Sequence, residues 1–380
     1  MITLTYQYKL KPTKLQVEQI EHILDVCKSV YNYALRERKD WLNSRKSPVN
    51  ACSLKHEYII PADAPYPNYY YQAAQLTKAK EHFPRLKSVN AQVLQQTLKR
   101  LDRAFTDMKS KGLGFPRFKK KLKSFVFPQL GKNCLGHSRV KLPQIGWINI
   151  RQSRSFPENF TAKQISVIKK ASGYYINIAF ESAESVPDIP VGDTSIGIDS
   201  GINAFVGLST GELIKAPRFL LEAQRELKLL QRRLKHKQKG SHNWLKLQNK
   251  ISRLHEKVAN CRRDWQFKLA HYLCDLAENL FVEDINFTSW AKGIVRKAAH
   301  DLALGQFINQ ILPFVCWKRG RYYAKVDKNG TSQECPKCGA DTGKKKLSER
   351  VHKCTECGYQ TARDVAAAQV IKKRGLIALQ

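Results

Sequence analysis

Two cysteine pairs near the end of the sequence carry the sharpest chemical signal. Cys335-Pro-Lys-Cys338 is followed, after 15 intervening residues, by Cys354-Thr-Glu-Cys357, and each pair leads directly into a glycine, Gly339 or Gly358. Two thiolates two residues apart sit on one turn and grip one metal. A second such turn completes a tetrahedron around zinc. His352 is near but redundant as a ligand, so the spacing predicts a closed, structural Zn2+ site. Two matched pairs are one too many for a redox dithiol, and four unliganded exposed thiols would oxidise.

A second constellation is acidic and widely spaced. Asp199 ends a short apolar strand in GIDSG, Glu283 ends another in FVEDIN, and Asp364 opens a helix in ARDVAAA. A carboxylate just beyond a buried strand is held at a sheet edge. Three of them together could hold two Mg2+ ions for in-line phosphodiester hydrolysis. Each acid also has a plainer reading, since Asp at a strand end forms turns and Asp before a helix caps it. Asp284 competes with Glu283 for the ligand role. Spacing alone leaves open whether the three acids meet.

The charge balance limits the partners. In 380 residues, 66 Lys and Arg stand against 32 Asp and Glu, a net charge of +34. Such an excess implies a polyanion, with nucleic acid the first candidate and an anionic membrane surface the second. With 42% hydrophobic residues the composition is that of a globular chain and excludes wholesale disorder. The length fits roughly two to four compact units. No apolar run of about 18 residues suggests a membrane span, and the opening MITLTYQYKLKPT has no signal-peptide core. These features lead to the expectation of a cytoplasmic protein. In that reducing compartment Cys27, Cys52, Cys134, Cys261, Cys274 and Cys316 are expected as reduced core thiols.

The elements that would position these groups can be read from periodicity. Ile2, Leu4, Tyr6, Tyr8 and Leu10 alternate as a strand, and Thr13 with Gln16 forms a capping box before a helical stripe running to Ala34. Residues 47–75 look irregular. A second helix follows Ser88, with Leu94, Leu98, Leu101, Phe105 and Met108 on one face. Residues 125–190 read as short strands, including a hairpin turning at Ser172-Gly173. Strands follow at 195–199, 204–209 and from Leu213. A helical hairpin then breaks at Gly240-Ser241. LFVED (280–284) reads as a buried strand, 291–320 as a helix and 321–327 as a strand.

Two segments concentrate the positive charge. Residues 109–124 hold seven Lys or Arg and no acid, with Phe115 and Phe118 interleaved and Gly112, Gly114 and Pro116 breaking any helix. Between Arg218 and Arg263 there are 14 basic residues and three acids, net +11. A solvated loop or an ordinary salt-laced hairpin is the bland alternative, but neither segment has the balanced charge that alternative needs. The residues singled out for nucleic-acid backbone contact are Arg117, Lys119, Lys120, Lys121 and Lys123 in the loop, with Arg232, Arg233, Lys235, Lys237 and Lys239 in the hairpin.

Taken in order, GIDSG, FVEDIN and TSQECPKCG…HKCTECGYQTARDVAAA resemble the TnpB (OrfB) proteins of bacterial and archaeal insertion sequences, RNA-guided DNA nucleases related to CRISPR type V effectors. YKLKPT, VLQQTLKRLDRAF and GFPRFKKK are similar to that family's opening strand, recognition helix and basic loop. The resemblance implies a multidomain α/β chain. Residues 1–12 and 113–190 would form a wedge β-barrel and 13–112 a helical recognition domain. Residues 191–330 and 359–380 would form a RuvC-type, RNase H-like nuclease domain with an inserted helical hairpin, and 331–358 a zinc ribbon. The family's catalytic, Mg2+-binding acids map onto Asp199, Glu283 and Asp364. Its zinc ligands map onto Cys335, Cys338, Cys354 and Cys357.

The implied activity is metal-dependent cleavage of double-stranded target DNA, directed by a guide RNA from the transposon end and by a motif beside the target. Charge and shape recognition suffice for such a protein because base pairing reads the sequence. One departure stands out. Where the family often has DRDxNAA, this chain has Ala362 and Ala366 in place of the polar residues. A guided DNA-binding repressor with weak or no cleavage is therefore the alternative function. A transposase joining strands without RNA is a third.

Overall fold

The computed structural model describes residues 2–46, 60–131, 133–183, 188–287, 296–346 and 348–379. The chain divides into two compact units, residues 1–186 and 187–380.

The first unit opens with strand β1 (Ile2–Lys11) and helix α1 (Lys14–Ser44). Between them the capping box forms as expected: the Gln16 amide donates to Thr13 Oγ1 and the Thr13 amide to Gln16 Oε1. Helices α2 (Tyr69–His82), α3 (Pro84–Lys87) and α4 (Ala91–Lys111) follow, then strands β2 (Ser124–Phe127), β3 (Leu135–Gly136), β4 (Arg139–Leu142), β5 (Gly146–Arg151), β6 (Thr161–Lys170) and β7 (Gly173–Ser182). The strands form one antiparallel sheet ordered β2-β6-β7-β1-β5-β4-β3. Its edge strands β2 and β3 are not paired with each other, so the barrel-type sheet is a half-barrel. Leu94, Leu98, Leu101 and Phe105 of α4 share one apolar core with α1 and with sheet residues such as Ile165 and Ile178. Buried Arg38 joins three helices, pairing with Asp102 at 3.0 Å and donating to Gln72 at 3.0 Å.

Helix α2 corrects the expectation of an irregular stretch to residue 75; residues 47–59 lie outside the described set. The run Tyr69-Tyr70-Tyr71 hides the helix because only Gln72 is buried along it, so no apolar stripe forms. Its true start signal is Asn68, whose side chain accepts from the Tyr71 amide at 3.0 Å. The basic segment is also shorter than read: α4 carries it to Lys111, and Gly112 ends the helix at φ 62°.

The second unit begins with β8 (Ser195–Ser200), β9 (Val206–Leu208) and β10 (Leu213–Ile214), then α5 (Phe219–Lys235) and α6 (His242–Leu276). After β11 (Asn279–Glu283) come α7 (Arg296–Leu302), α8 (Leu304–Gln306), a π turn at Phe307–Ile311, α9 (Leu312–Lys318) and β12 (Tyr322–Val326). The short strands β13 (Val351–Lys353) and β14 (Gln360–Ala362) precede the last helix, α10 (Arg363–Ile377). The sheet order is β10-β9-β8-β11-β12, with β8, β11 and β12 parallel and β9 and β10 antiparallel to their neighbours. This is the RNase H-like order expected of a RuvC domain. Helices α5 and α6 are the inserted hairpin, closed by Leu227, Leu230 and Ile251 and restarted by Ser241, which caps α6.

The single helix expected over 291–320 is interrupted; residues 291–295 lie outside the described set. Ala303 takes φ 50°, and the helix resumes through the π turn before Pro313. Gln266 donates to the Leu302 carbonyl, and Pro313 has no N–H for the regular ladder, so both ends of the break have a cause.

Candidate active site and metal centre

Three acids reach one edge of the second sheet by separate routes. Asp199 is the fifth residue of β8 and Glu283 the last of β11. The parallel ladder pairs Ile198 with Val282, so one step further Glu283 comes level with Asp199. On the opposite flank Asp199 is paired with Gly207 of β9. A Cβ built on Gly207 would stand 2.9 Å from the Asp364 carbonyl oxygen and 3.0 Å from its Cβ. The first turn of α10 therefore fills the space that Gly207 leaves and carries Asp364 to the same edge. Further along, a Cβ on Gly197 would lie 1.9 Å from the Ala368 carbonyl oxygen, so the helix backbone lies directly on β8.

The electrostatics reflect this meeting. Burial pushes the Asp199 carboxyl well above the ordinary range, and the charges of Glu283 and then Asp364 push it further. The Ser200 amide and Arg363 offset only part of this. Burial also raises Glu283, opposed by the Thr331 hydroxyl, Arg374 and Lys328. Such a cluster favours cations, which would relieve its mutual repulsion. Asp284, the competitor for Glu283, turns outward: its side chain is 68% exposed and pairs with Lys325 at 3.0 Å. Asp364 is not the helix cap, because Ala362 holds that place.

The four cysteines converge more tightly. Their sulfurs all lie within 4.8 Å of one another, with Cys335 to Cys357 at 3.7 Å and Cys338 to Cys354 at 3.6 Å. A tetrahedron with Zn–S near 2.3 Å has edges of about 3.8 Å, so the donor set fits zinc. The two knuckles repeat one geometry. Gly339 donates to the Cys335 carbonyl and Gly358 to the Cys354 carbonyl, and both glycines sit at positive φ, 77° and 69°. Sequence reasoning set His352 aside. It is buried beside the cluster. Burial alone would raise the Cys335 thiol, but the Cys338 amide and His352 help bring it down to about 6. Among the described residues this is the group closed to single-ion spacing. Asp199, Glu283 and Asp364 do not close to that spacing.

The basic side chains singled out in the loop and the hairpin are all exposed. Lys119 lies 5.6 Å over the Tyr31 ring, and its backbone is held by two hydrogen bonds with Asn32. Phe115 and Phe118 are 42% and 47% exposed, leaving flat faces among the cations.

The comparisons match in three consecutive blocks. A family profile described as "Probable transposase" (OrfB_IS605) covers residues 180–292, "Cas12f1-like, TNB domain" covers 305–371, and "Helix-turn-helix domain" (HTH_OrfB_IS605) covers 1–47. The chain is 29% identical to "Putative RNA-guided DNA endonuclease InsQ" of Escherichia coli (strain K12), over 97% of this chain and 92% of that protein. It is 28% identical to "Putative RNA-guided DNA endonuclease" of Streptomyces pristinaespiralis, over 98% and 89%. Identity to the CRISPR-associated endodeoxyribonuclease Cas12f1 of Sulfoacidibacillus thermotolerans is 25%, over 56% and 52%. The chain is similar to proteins of the TnpB (OrfB) family.

Two details of the chain depart from these likenesses. The residues matched as helix-turn-helix fold as β1 and a single 31-residue helix. In the third acidic motif, Ala366 is 1% exposed, so the position is filled by a methyl group where the family often has an amide. Of the six lone cysteines, Cys27, Cys134, Cys274 and Cys316 are buried as expected, Cys261 is exposed, and Cys52 lies outside the described residues. The exposed sulfur follows from its place on the outer face of α6, between Asn260 and Arg262. Sequence reasoning missed Thr331, which donates to Glu283 Oε1, and Gly207. Each looked like an ordinary turn or strand residue.

Proposed function

We propose that this protein is an RNA-guided DNA endonuclease encoded by an insertion sequence. It would act in the cytoplasm on double-stranded DNA, with a transposon-derived guide RNA and a motif beside the target. The observation that carries the reading is the convergence of Asp199, Glu283 and Asp364: the β8–β11 register brings Glu283 level with Asp199, and the first turn of α10 packs on Gly207 opposite Asp199. A fold that gathers three carboxylates at one end of a sheet has a use for the charge.

Asp199, Glu283 and Asp364 are the residues that would hold divalent magnesium. The ions, when bound, supply Lewis-acid stabilisation of the scissile phosphate and the departing 3′ oxygen. The carboxylates orient the attacking water and take up its proton. Glu283 is held by Thr331 for this work. The exposed cations of the loop and hairpin hold phosphate backbones, with an affinity that falls steeply with salt. The four cysteines would hold zinc and keep the ribbon folded.

The test is plasmid cleavage by purified protein with its co-purified RNA and a matching target in Mg2+. Asp199→Ala is expected to lose cleavage and keep RNA and target binding. Cutting by the variant would refute the assignment. A repressor is the second reading, favoured by the buried methyl group of Ala366. Target binding without product in any divalent metal would support it.

A further inference from the structure

We propose that Thr331, at the start of the ribbon, is a positioning residue for Glu283, and that through it the zinc ribbon sets the geometry of the carboxylate cluster. This rests on the nuclease reading above. Thr331 is 4% exposed, and its Oγ1 donates to Glu283 Oε1. A threonine hydroxyl has one proton. Its other acceptor, the Lys328 carbonyl at 3.3 Å, is distant for an O–H bond, so the carboxylate is the main partner.

The hydroxyl is itself held at a fixed point. Arg374 of α10 donates through Nη1 to the carbonyls of Asp327 at 3.0 Å and Asn329 at 2.7 Å. Through Nη2 it pairs with Glu334 at 2.9 Å. The amides of Gln333 and Glu334 both donate to the Gly330 carbonyl, at 2.9 and 3.0 Å. Glu334 leads directly into Cys335. A continuous run of short contacts thus links a zinc ligand, a clamped turn, Thr331 and Glu283. Arg374, which clamps the turn, sits on the same helix as Asp364. Pinning Oε1 restricts the rotation of the Glu283 carboxylate and so the positions Oε2 can take. Removing an outer hydrogen bond of this type costs about 10- to 100-fold in metal affinity or activity.

Thr331→Val keeps the shape and deletes the hydroxyl; Thr331→Ser keeps the hydroxyl. The readout is Mn2+ binding followed by the electron paramagnetic resonance of free Mn2+, in full-length protein with its RNA. Binding to RNA and surface groups is subtracted using Asp199→Asn. For Thr331→Val we expect the remaining Mn2+ affinity to fall about 10- to 100-fold, cleavage to fall with it, and zinc content to stay unchanged. Thr331→Ser should restore both. The inference is overturned if the Val variant binds and cuts like wild type, if Ser is as damaging as Val, or if the Val defect accompanies loss of zinc. Failure of the nuclease reading looks different: the wild type itself would then give no product in any divalent metal, and Asp199→Asn would remove no Mn2+ binding.

Discussion

Gly207 faces Asp199 across the β8–β9 ladder, and the space left by its missing side chain is filled by the backbone and Cβ of Asp364. The third acid reaches the first because one residue has no side chain. Gly207→Ala would force the first turn of α10 outward. Overpacking of this kind costs about 1–3 kcal/mol, and a displacement near 1 Å at a reacting centre can cost about 100-fold in rate. We expect a variant that melts earlier, retains RNA and cleaves at roughly one hundredth of the wild-type rate. Wild-type cleavage would show that the placing of Asp364 does not matter.

Asp199 should trade stability for activity. Its folded-state pKa is raised above the unfolded value of about 3.9. The folded state therefore binds more protons than the unfolded state between those two values. This group's contribution to stability is fully present below about pH 4 and is lost as pH rises through the raised pKa. Asp199→Asn removes the penalty. Calorimetry at neutral pH without divalent metal should show a higher melting temperature for the variant, together with lost cleavage. Added Mg2+ should stabilise the wild type only. A variant that melts earlier than wild type in metal-free buffer would contradict this account of the site.

The ribbon should fail as a unit. Cys338→Ser removes one of four donors whose sulfurs lie within 4.8 Å. We expect loss of bound zinc by atomic absorption, new proteolytic cuts between residues 331 and 358, and reduced cleavage because the turn holding Thr331 loosens. Full zinc content with an intact digestion pattern would show that three cysteines suffice.

Charge on the hairpin should appear in the salt dependence. Replacing Arg232, Arg233 and Lys235 together with Ala should reduce the slope of log affinity against log salt by about 0.7–0.9 for each phosphate that is no longer neutralised. Filter binding to the co-purified RNA over a sodium chloride series measures this. An unchanged slope would mean that these side chains face only solvent.

Much of the site was legible because chemistry and local pattern coincide there. An apolar strand that stops at an acid is a distinctive string, and β8 and β11 lie where GIDSG and FVEDIN placed them. The cysteine knuckles needed only their spacing. What the strings could not supply was register. That Glu283 comes level with Asp199 depends on a ladder between strands 84 positions apart. Gly207 and Thr331 were invisible for the same reason, since each matters only through a residue distant in sequence. Helix α2 was missed because its tyrosines stay largely exposed and Gln72 alone is buried. The break at Ala303 was missed because an alanine at positive φ breaks the local rules and is held by contacts from α6.

If the three acids do the cutting as proposed, the placing of Asp364 on α10 also sets when that capacity arises during synthesis. The ribosome completes β8 and β11 long before it reaches residue 364, and α10 can dock on Gly197 and Gly207 only afterwards. A nascent or prematurely terminated chain could present its basic surfaces to RNA while holding an incomplete set of acids. The capacity to cut would arrive last, after the parts that grip.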